Sequence, residues 1–311
     1  MAGALQARFF WLLVPAAGLL ELGAQAWVSS RAPDLDDWKA VVPAVTALKR
    51  AGEPLVVAPE WAEPIARHAL GDAAFPVTEL ARSDLGGSRR VLELSLLGAR
   101  SAEARDFRVA EERRSGPFTL RVLENPKPRS IAYRLLEHVR PEELSVSVVS
   151  GELERACEFT TTARVVTGGL HGEVTFPRER FVCGGRESAF VGITVIDDQR
   201  YRPRRCLWAQ PPREGFLRLR FTGVPLGRAL HGHAGLSYFL FRDGGRPPIR
   251  LSATLGEQSF GSYLHQDEWG WHELRLSGTP GAPGATGDLE LTVRAEHAEA
   301  RDFCFALEVL P

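Results

Sequence analysis

Histidines and carboxylates are the first residues to weigh. His231-Gly232-His233 and His265-Gln266-Asp267, with His272 close behind, bring imidazoles and a carboxylate into one region of the chain. A catalytic zinc takes three such ligands and keeps one position open. Two histidines separated by one residue share a face if they lie on a strand. Here His231 stands beside Gly232, which reads as a turn, and the spacing matches no zinc motif. No metal and no cofactor are expected. A nucleophile elbow needs Gly-x-Ser-x-Gly, and Gly235-Leu236-Ser237-Tyr238 lacks the closing glycine. Glu214, Asp267 and Glu268 offer carboxylates for glycoside hydrolysis only through their loop positions.

Aromatic residues give a stronger signal. Tyr201, Trp208, Tyr263, Trp269 and Trp271 cluster near the ends of strand-like segments. The apolar CH face of a sugar ring stacks on an indole, and neighbouring Asp, Arg and His side chains bond its hydroxyls. The ligand-binding candidates are therefore Trp208, Tyr263, His265, Asp267 and Trp269, carried by loops over 201–213 and 263–272, together with Arg242. Trp208 and Trp271 also suit a sandwich core, because large aromatics bury much area. Trp269, between Glu268 and Gly270, is expected to be exposed.

Phosphate chemistry is absent. A dinucleotide loop needs G-x-G-x-x-G between a strand and a helix, and that place holds Ala58-Pro59-Glu60-Trp61. No Walker A pattern occurs. Glu60 and Trp61 do fall at the carboxyl end of a strand, where open α/β sheets bind ligands.

The elements that must position these residues follow from periodicity. Leu217, Leu219 and Phe221 alternate with Arg218 and Arg220. Ile249, Leu251, Ala253 and Leu255 repeat the pattern, as do Leu289, Leu291 and Val293. Period two marks half-buried strands, and Gly, Pro and Asp clusters punctuate them. The span 142–311 is expected to be an antiparallel β-sandwich of eight to ten strands, including segments at 144–149, 157–166 and 189–196. His231-Gly232-His233 falls in one of its turns. Residues 31–125 read as a small α/β domain. Its first helix opens at Asp34 and carries Trp38, Val41, Val45 and Leu48. A wholly apolar strand at 55–58 suits a parallel sheet, a second helix ends at Gly71-Asp72, and a strand at 91–97 precedes a hairpin about Ser115-Gly116. Residues 126–141 form a proline-marked linker and a short helix over 131–139. The fold class is thus α+β with two domains.

The 311 residues carry a net charge of −1, with 44% hydrophobic and 25% charged residues. That balance offers nothing to attract nucleic acid. Arginine supplies nearly all the positive charge, which reads as composition bias rather than a site. Over residues 1–30, Arg8 precedes an apolar run from Phe9 to Leu20, followed by Glu21 and Ala24-Gln25-Ala26. This fits either a signal peptide or a single membrane anchor. Both place the rest of the chain outside the cytoplasm, in the periplasm or its equivalent. Four cysteines, Cys157, Cys183, Cys206 and Cys304, agree with an oxidising compartment. Three pairings are open. The expected one joins Cys157 to Cys183 and Cys206 to Cys304, the second tying the first strand of the 201–305 stretch to its last.

Two resemblances can be named on these residues. GFLRLRF, GHAGLSYFLF, GWHELRL and RDFCFALEV make the span 150–311 resemble the galactose-binding-like jelly roll of many carbohydrate-binding modules. That resemblance implies a ligand in the loops at one end of the sandwich. It also implies a structural calcium, for which no loop has enough carboxylates. The segment DDWKAVVPAVTALKRAGEPLVVAPEWAEPIARHALGD is similar to the extracytoplasmic tail of polytopic glycosyltransferases that use lipid-linked sugars. The membrane helices and acidic loops of those enzymes have no counterpart here. The expected function is a non-catalytic bacterial cell-envelope protein that binds carbohydrate or an envelope protein partner. The alternative is an accessory or degenerate glycosyltransferase, or a hydrolase using Asp267 and His265.

Overall fold

The structure is a computed structural model and describes residues 3–29, 32–166, 175–184, 188–198, 201–236, 247–266, 270–279, 284–296 and 302–311. Helix α1 spans Gly3–Ser29. Its Leu13, Val14, Leu19, Leu20 and Leu22 are exposed. Among the described residues no helix is long and apolar enough to cross a membrane.

Helices α2 (Leu35–Ala40) and α3 (Val42–Leu48) open the α/β unit. Asp34 caps α2 by accepting hydrogen bonds from the Asp36 and Asp37 amides, and the Asp37 carboxylate accepts one from the Asp34 amide. Three amide donors at the helix start are satisfied in this way. Strand β1 (Leu55–Ala58) leads through a 3-10 turn at Glu60–Ala62 into α4 (Glu63–Ala74), which kinks at Gly71 where φ is 71°. A short α5 (Val77–Leu80) follows. Strands β2 (Arg90–Leu96), β3 (Arg108–Ser115) and β4 (Phe118–Glu124) complete a sheet ordered β1-β2-β4-β3. Only β1 and β2 pair in parallel. Trp38, Val45, Ala66, Leu70 and Phe75 from the helices bury one sheet face together with Leu92, Leu94 and Phe118.

The expected helix over 131–139 is instead a short strand β5 (Tyr133–Arg134) and a 3-10 turn at Leu135–Glu137. Its apolar spacing is helical, but Tyr133 and Arg134 pair with the last strand of the sandwich. Sheet pairing overrides local preference there.

The sandwich has more strands than the eight to ten expected. One sheet is built from β8 (Glu158–Thr160), β9 (Arg180–Val182), β10 (Phe190–Asp197), β11 (Pro203–Ala209), β13 (Ala229–Leu236), β16 (Gly270–Ser277) and β18 (Phe303–Leu310). Its order is β16-β13-β18-β11-β10-β9-β8, with β5 beside β18. The other sheet is built from β6 (Leu144–Ser150), β7 (Leu153–Ala156), β12 (Phe216–Pro225), β14 (Ile249–Leu255), β15 (Gln258–His265) and β17 (Thr286–Ala295). Its order is β15-β14-β17-β12-β6-β7. The segment expected as one strand over 157–166 holds only β8. The chain crosses between sheets at Cys157, directly after β7.

Alternation explains the core. Leu217, Leu219, Phe221, Leu251, Leu255, Leu291 and Val293 from one sheet meet Leu230, Ala234, Leu274, Phe305, Leu307 and Val309 from the other. Both disulfides have the expected pairing, Cys157 to Cys183 and Cys206 to Cys304. Cys206 and Cys304 lie on the outer face of their sheet, among Phe176, Phe190, Ile196 and Trp208.

Candidate functional site

The α/β unit docks on the outer face of the larger sheet, where that sheet is incomplete. Strand β18 pairs with β11 only at Phe305 and Cys304, and with β5 only at Glu308 and Val309. Ala306 and Leu307 are left without an outer neighbour between the two. The α/β unit approaches this opening, and Arg205 of β11 donates its backbone N–H to the Ala81 carbonyl at 2.6 Å. A cleft of about 390 Å³ remains between the bodies. That volume lies within the range of small-molecule pockets. Asp84, Arg129, Arg134, Arg205, His231 and His233 line it, with Leu136 as an apolar patch.

Three guanidiniums brace the α/β unit against the sandwich. Arg204 donates to Asp198 Oδ2 at 2.7 and 2.9 Å and to the Arg82 and Ser83 carbonyls at 2.7 and 3.1 Å. Arg202 contacts Glu103 and lies 3.1 Å from Glu60. Arg129 donates to both Asp84 oxygens at 2.8 and 2.9 Å and lies 3.2 Å from Glu308. Each of these bonds joins the α/β unit to the sandwich or braces a residue that does. Burial alone would raise the Asp84 pKa. The Arg129 charge and hydrogen bonds outweigh it and hold the carboxyl below the usual range. Glu60, a ligand candidate at the end of β1, is thus engaged by Arg202, while Trp61 remains exposed.

His231 and His233 stand on one face of β13, the face opposite Leu230 and Ala234. The turn expected at His231-Gly232-His233 is in fact this strand, paired on both sides. Gly232 is needed for close approach, not for turning: a Cβ there would collide with the Ala306 carbonyl oxygen. His231 is 5% exposed and its Nε2 lies 2.9 Å from Glu273 Oε1. A carboxylate only accepts hydrogen bonds, so Nε2 carries a proton toward Glu273. Buried Nδ1 has no hydrogen-bond partner. His233 stacks on Trp271 with centroids 6.0 Å apart and planes 6° apart. Burial lowers its pKa to about 4, against the opposing pull of Asp84 and with help from His231.

This sets a pH prediction. Unfolded, the His233 imidazole titrates near 6.5; folded, near 4. Between those values the unfolded chain holds a proton that the folded chain lacks, so stability rises with pH. Acidification from pH 7 to pH 4 is expected to cost about 3 kcal/mol at this residue. Urea unfolding of His233→Asn should show a correspondingly shallower loss over that window. An unchanged slope would refute the assignment.

The residues expected to bind a ligand are only partly brought together. Trp208 is 1% exposed, stacks on Phe190 at 5.6 Å and donates Nε1–H to the Ser188 carbonyl at 3.1 Å. It is a core residue. Tyr263 Oη lies 3.2 Å from His265 Nδ1 at the end of β15, and His265 is 1% exposed against Phe303. Asp267, Trp269 and Arg242 lie outside the described residues. Among the described residues no three His, Cys, Asp or Glu side chains gather as a metal site requires. The cleft itself draws on segments far apart in sequence. Its one sequence signal is the pair of histidines on a single strand face.

No protein-family model matches the chain, and no curated protein matches its sequence. Among solved structures the chain is similar to the CBM51-2 and INT domains of Clostridium perfringens ZmpB in complex with GlcNAc, at 6% identity and TM-score 0.28, over 68% of this chain and 43% of that one. It is similar to the arabinose-bound α-L-arabinofuranosidase MgGH51, at 12% identity and TM-score 0.26, over 39% of this chain and 22% of that one. It is also similar to the CBM22-1 xylan-binding domain of Paenibacillus barcinonensis Xyn10C, at 11% identity and TM-score 0.24, over 50% of this chain and 93% of that one. The match thus spans less than half the length of the first two.

Proposed function

We propose that the protein is a non-catalytic carbohydrate-binding protein of an oxidising, extracytoplasmic space, with its ligand seated in the cleft between the α/β unit and the sandwich. The observation that carries this reading is a cleft edged by guanidiniums and lined by His231, whose buried Nδ1 has no hydrogen-bond partner. A buried acceptor left unsatisfied costs free energy. A sugar hydroxyl can donate to it while neighbouring ring and hydroxyl oxygens accept from arginine, and Leu136 offers apolar surface to the ring. Two disulfides support the compartment. The exposed apolar residues of α1 suit a targeting segment.

Glycan-array binding of the intact protein tests the reading. The protein is expected to bind carbohydrate, and His231→Phe to weaken that binding at least about tenfold, the scale of a lost buried hydrogen bond. Absence of glycan binding by the unaltered protein would overturn it. A second place for contact is the sandwich end at Tyr263 and His265, where the Tyr263 hydroxyl reaches the His265 ring. If that end holds the ligand with Asp267, Trp269 and Arg242, Trp269→Ala should abolish binding and His231→Phe should not.

A further inference from the structure

Arg205 is the cation in the cleft that the fold leaves over. Arg82 is paired with Glu103 at 2.8 Å, Arg129 with Asp84 and Glu308, and Arg134 with Glu308 at 3.3 Å. Among the described residues Arg205 has no carboxylate within ion-pair distance and its side chain makes no hydrogen bond. Glu137, also lining the cleft, influences it only from further away. Burial pushes the guanidinium pKa down, yet arginine stays charged in proteins. The half-buried charge therefore lacks a counter-ion in a cavity whose other cations all have one. Taking a charge out of water without a partner is unfavourable. His231 lines the same cavity, and its buried Nδ1 has no hydrogen-bond partner; in the neutral ring that nitrogen takes a donor rather than an acceptor.

We infer that the ligand is an acidic sugar, whose anionic group is received by Arg205 while a hydroxyl of the same molecule donates to His231 Nδ1. This rests on the carbohydrate reading above and narrows it to a class. The planar guanidinium fork matches a carboxylate in two parallel hydrogen bonds. It also takes a phosphate, so a uronic acid and a phosphorylated sugar share the required chemistry. Neutral glycans offer His231 its donor but leave Arg205 uncompensated.

The test prints uronate-bearing and phosphate-bearing oligosaccharides beside their neutral counterparts and measures binding of the intact protein, Arg205→Gln and Arg205→Lys. The unaltered protein is expected to prefer the acidic member of a pair at least about tenfold. The preference should vanish in Arg205→Gln and return only in part in Arg205→Lys, which keeps the charge but not the fork. Which acidic series is preferred identifies the anionic group. Equal binding of acidic and neutral members, unchanged by Arg205→Gln, would overturn this inference and leave the carbohydrate reading standing. Binding to no glycan would overturn both. Should Arg205→Gln fail to fold, the preference of the unaltered protein and its response to Arg205→Lys decide the matter.

Discussion

Replacing Cys206 and Cys304 with alanine is expected to lower the unfolding free energy by about 4–5 kcal/mol, the larger of the two disulfide effects. The bond closes a loop with a sequence separation of 98, against 26 for Cys157–Cys183. A longer closed loop removes more entropy from the unfolded chain, which gives about 4.7 kcal/mol for the first and about 3.5 for the second. The bond also joins neighbouring strands β11 and β18 just where their pairing stops, beside the cleft. Losing it should therefore weaken ligand binding as well as stability. Chemical denaturation of both double-alanine variants checks the ranking. A smaller loss for Cys206/Cys304 than for Cys157/Cys183 would contradict it.

Arg202→Ala is expected to cost about 3–5 kcal/mol at neutral pH, because it leaves buried carboxylates facing one another. Arg202 contacts Glu103, lies 3.1 Å from Glu60 and reaches Glu63 at 4.0 Å. Burial already pushes the Glu63 pKa up, and Arg202 and Arg82 only partly offset this. Burial would raise Glu103 too, but the same two guanidiniums bring it down to about 2. Glu103 thus contributes stability that is present above its ordinary value of 4.5 and is lost as pH falls toward 2. Without Arg202 that dependence should flatten, and the cost of the substitution should shrink with acidification as the carboxylates take up protons. Urea unfolding at pH 7 and pH 4 reads both effects. A variant as stable as the parent at pH 7 would show that these charges do not hold the units together.

Which parts of this fold can be read from residues alone follows from the range of the forces. Alternation is local: Leu217, Leu219 and Phe221 find the core because period two places them on one face whatever lies opposite. The Asp34 cap is likewise local, and so is the hairpin at Ser115-Gly116. His231-Gly232-His233 is different. Glycine beside a polar residue suggests a turn, yet Gly232 serves the approach of β18, a strand more than seventy residues later in the chain. The helical spacing of Ile131, Leu135 and Val139 gives way to pairing with that same strand. Trp208 sits near a strand end, where a ligand-binding aromatic was expected, but the alternation of β11 places it beside Cys206 and under Phe190. Arginine abundance reads as composition bias, and nothing local marks Arg202, Arg204 and Arg205 as three neighbours with different tasks. Arg202 and Arg204 bind the units to each other, while Arg205 lines the cleft with no ion-pair partner among the described residues. Their partners, Glu60, Ser83 and Glu103, lie about a hundred residues or more away in the chain, so only the folded arrangement distinguishes them.

The claim that a sugar hydroxyl bonds His231 in the cleft is tested most directly by imidazole nitrogen NMR. With the protein labelled at histidine nitrogens and titrated with uronate oligosaccharides, the His231 Nδ1 resonance should move at saturation as a bare acceptor gains a donor, while Nε2 keeps its bond to Glu273. Binding that leaves the His231 Nδ1 resonance where it was would place the ligand elsewhere and contradict the account.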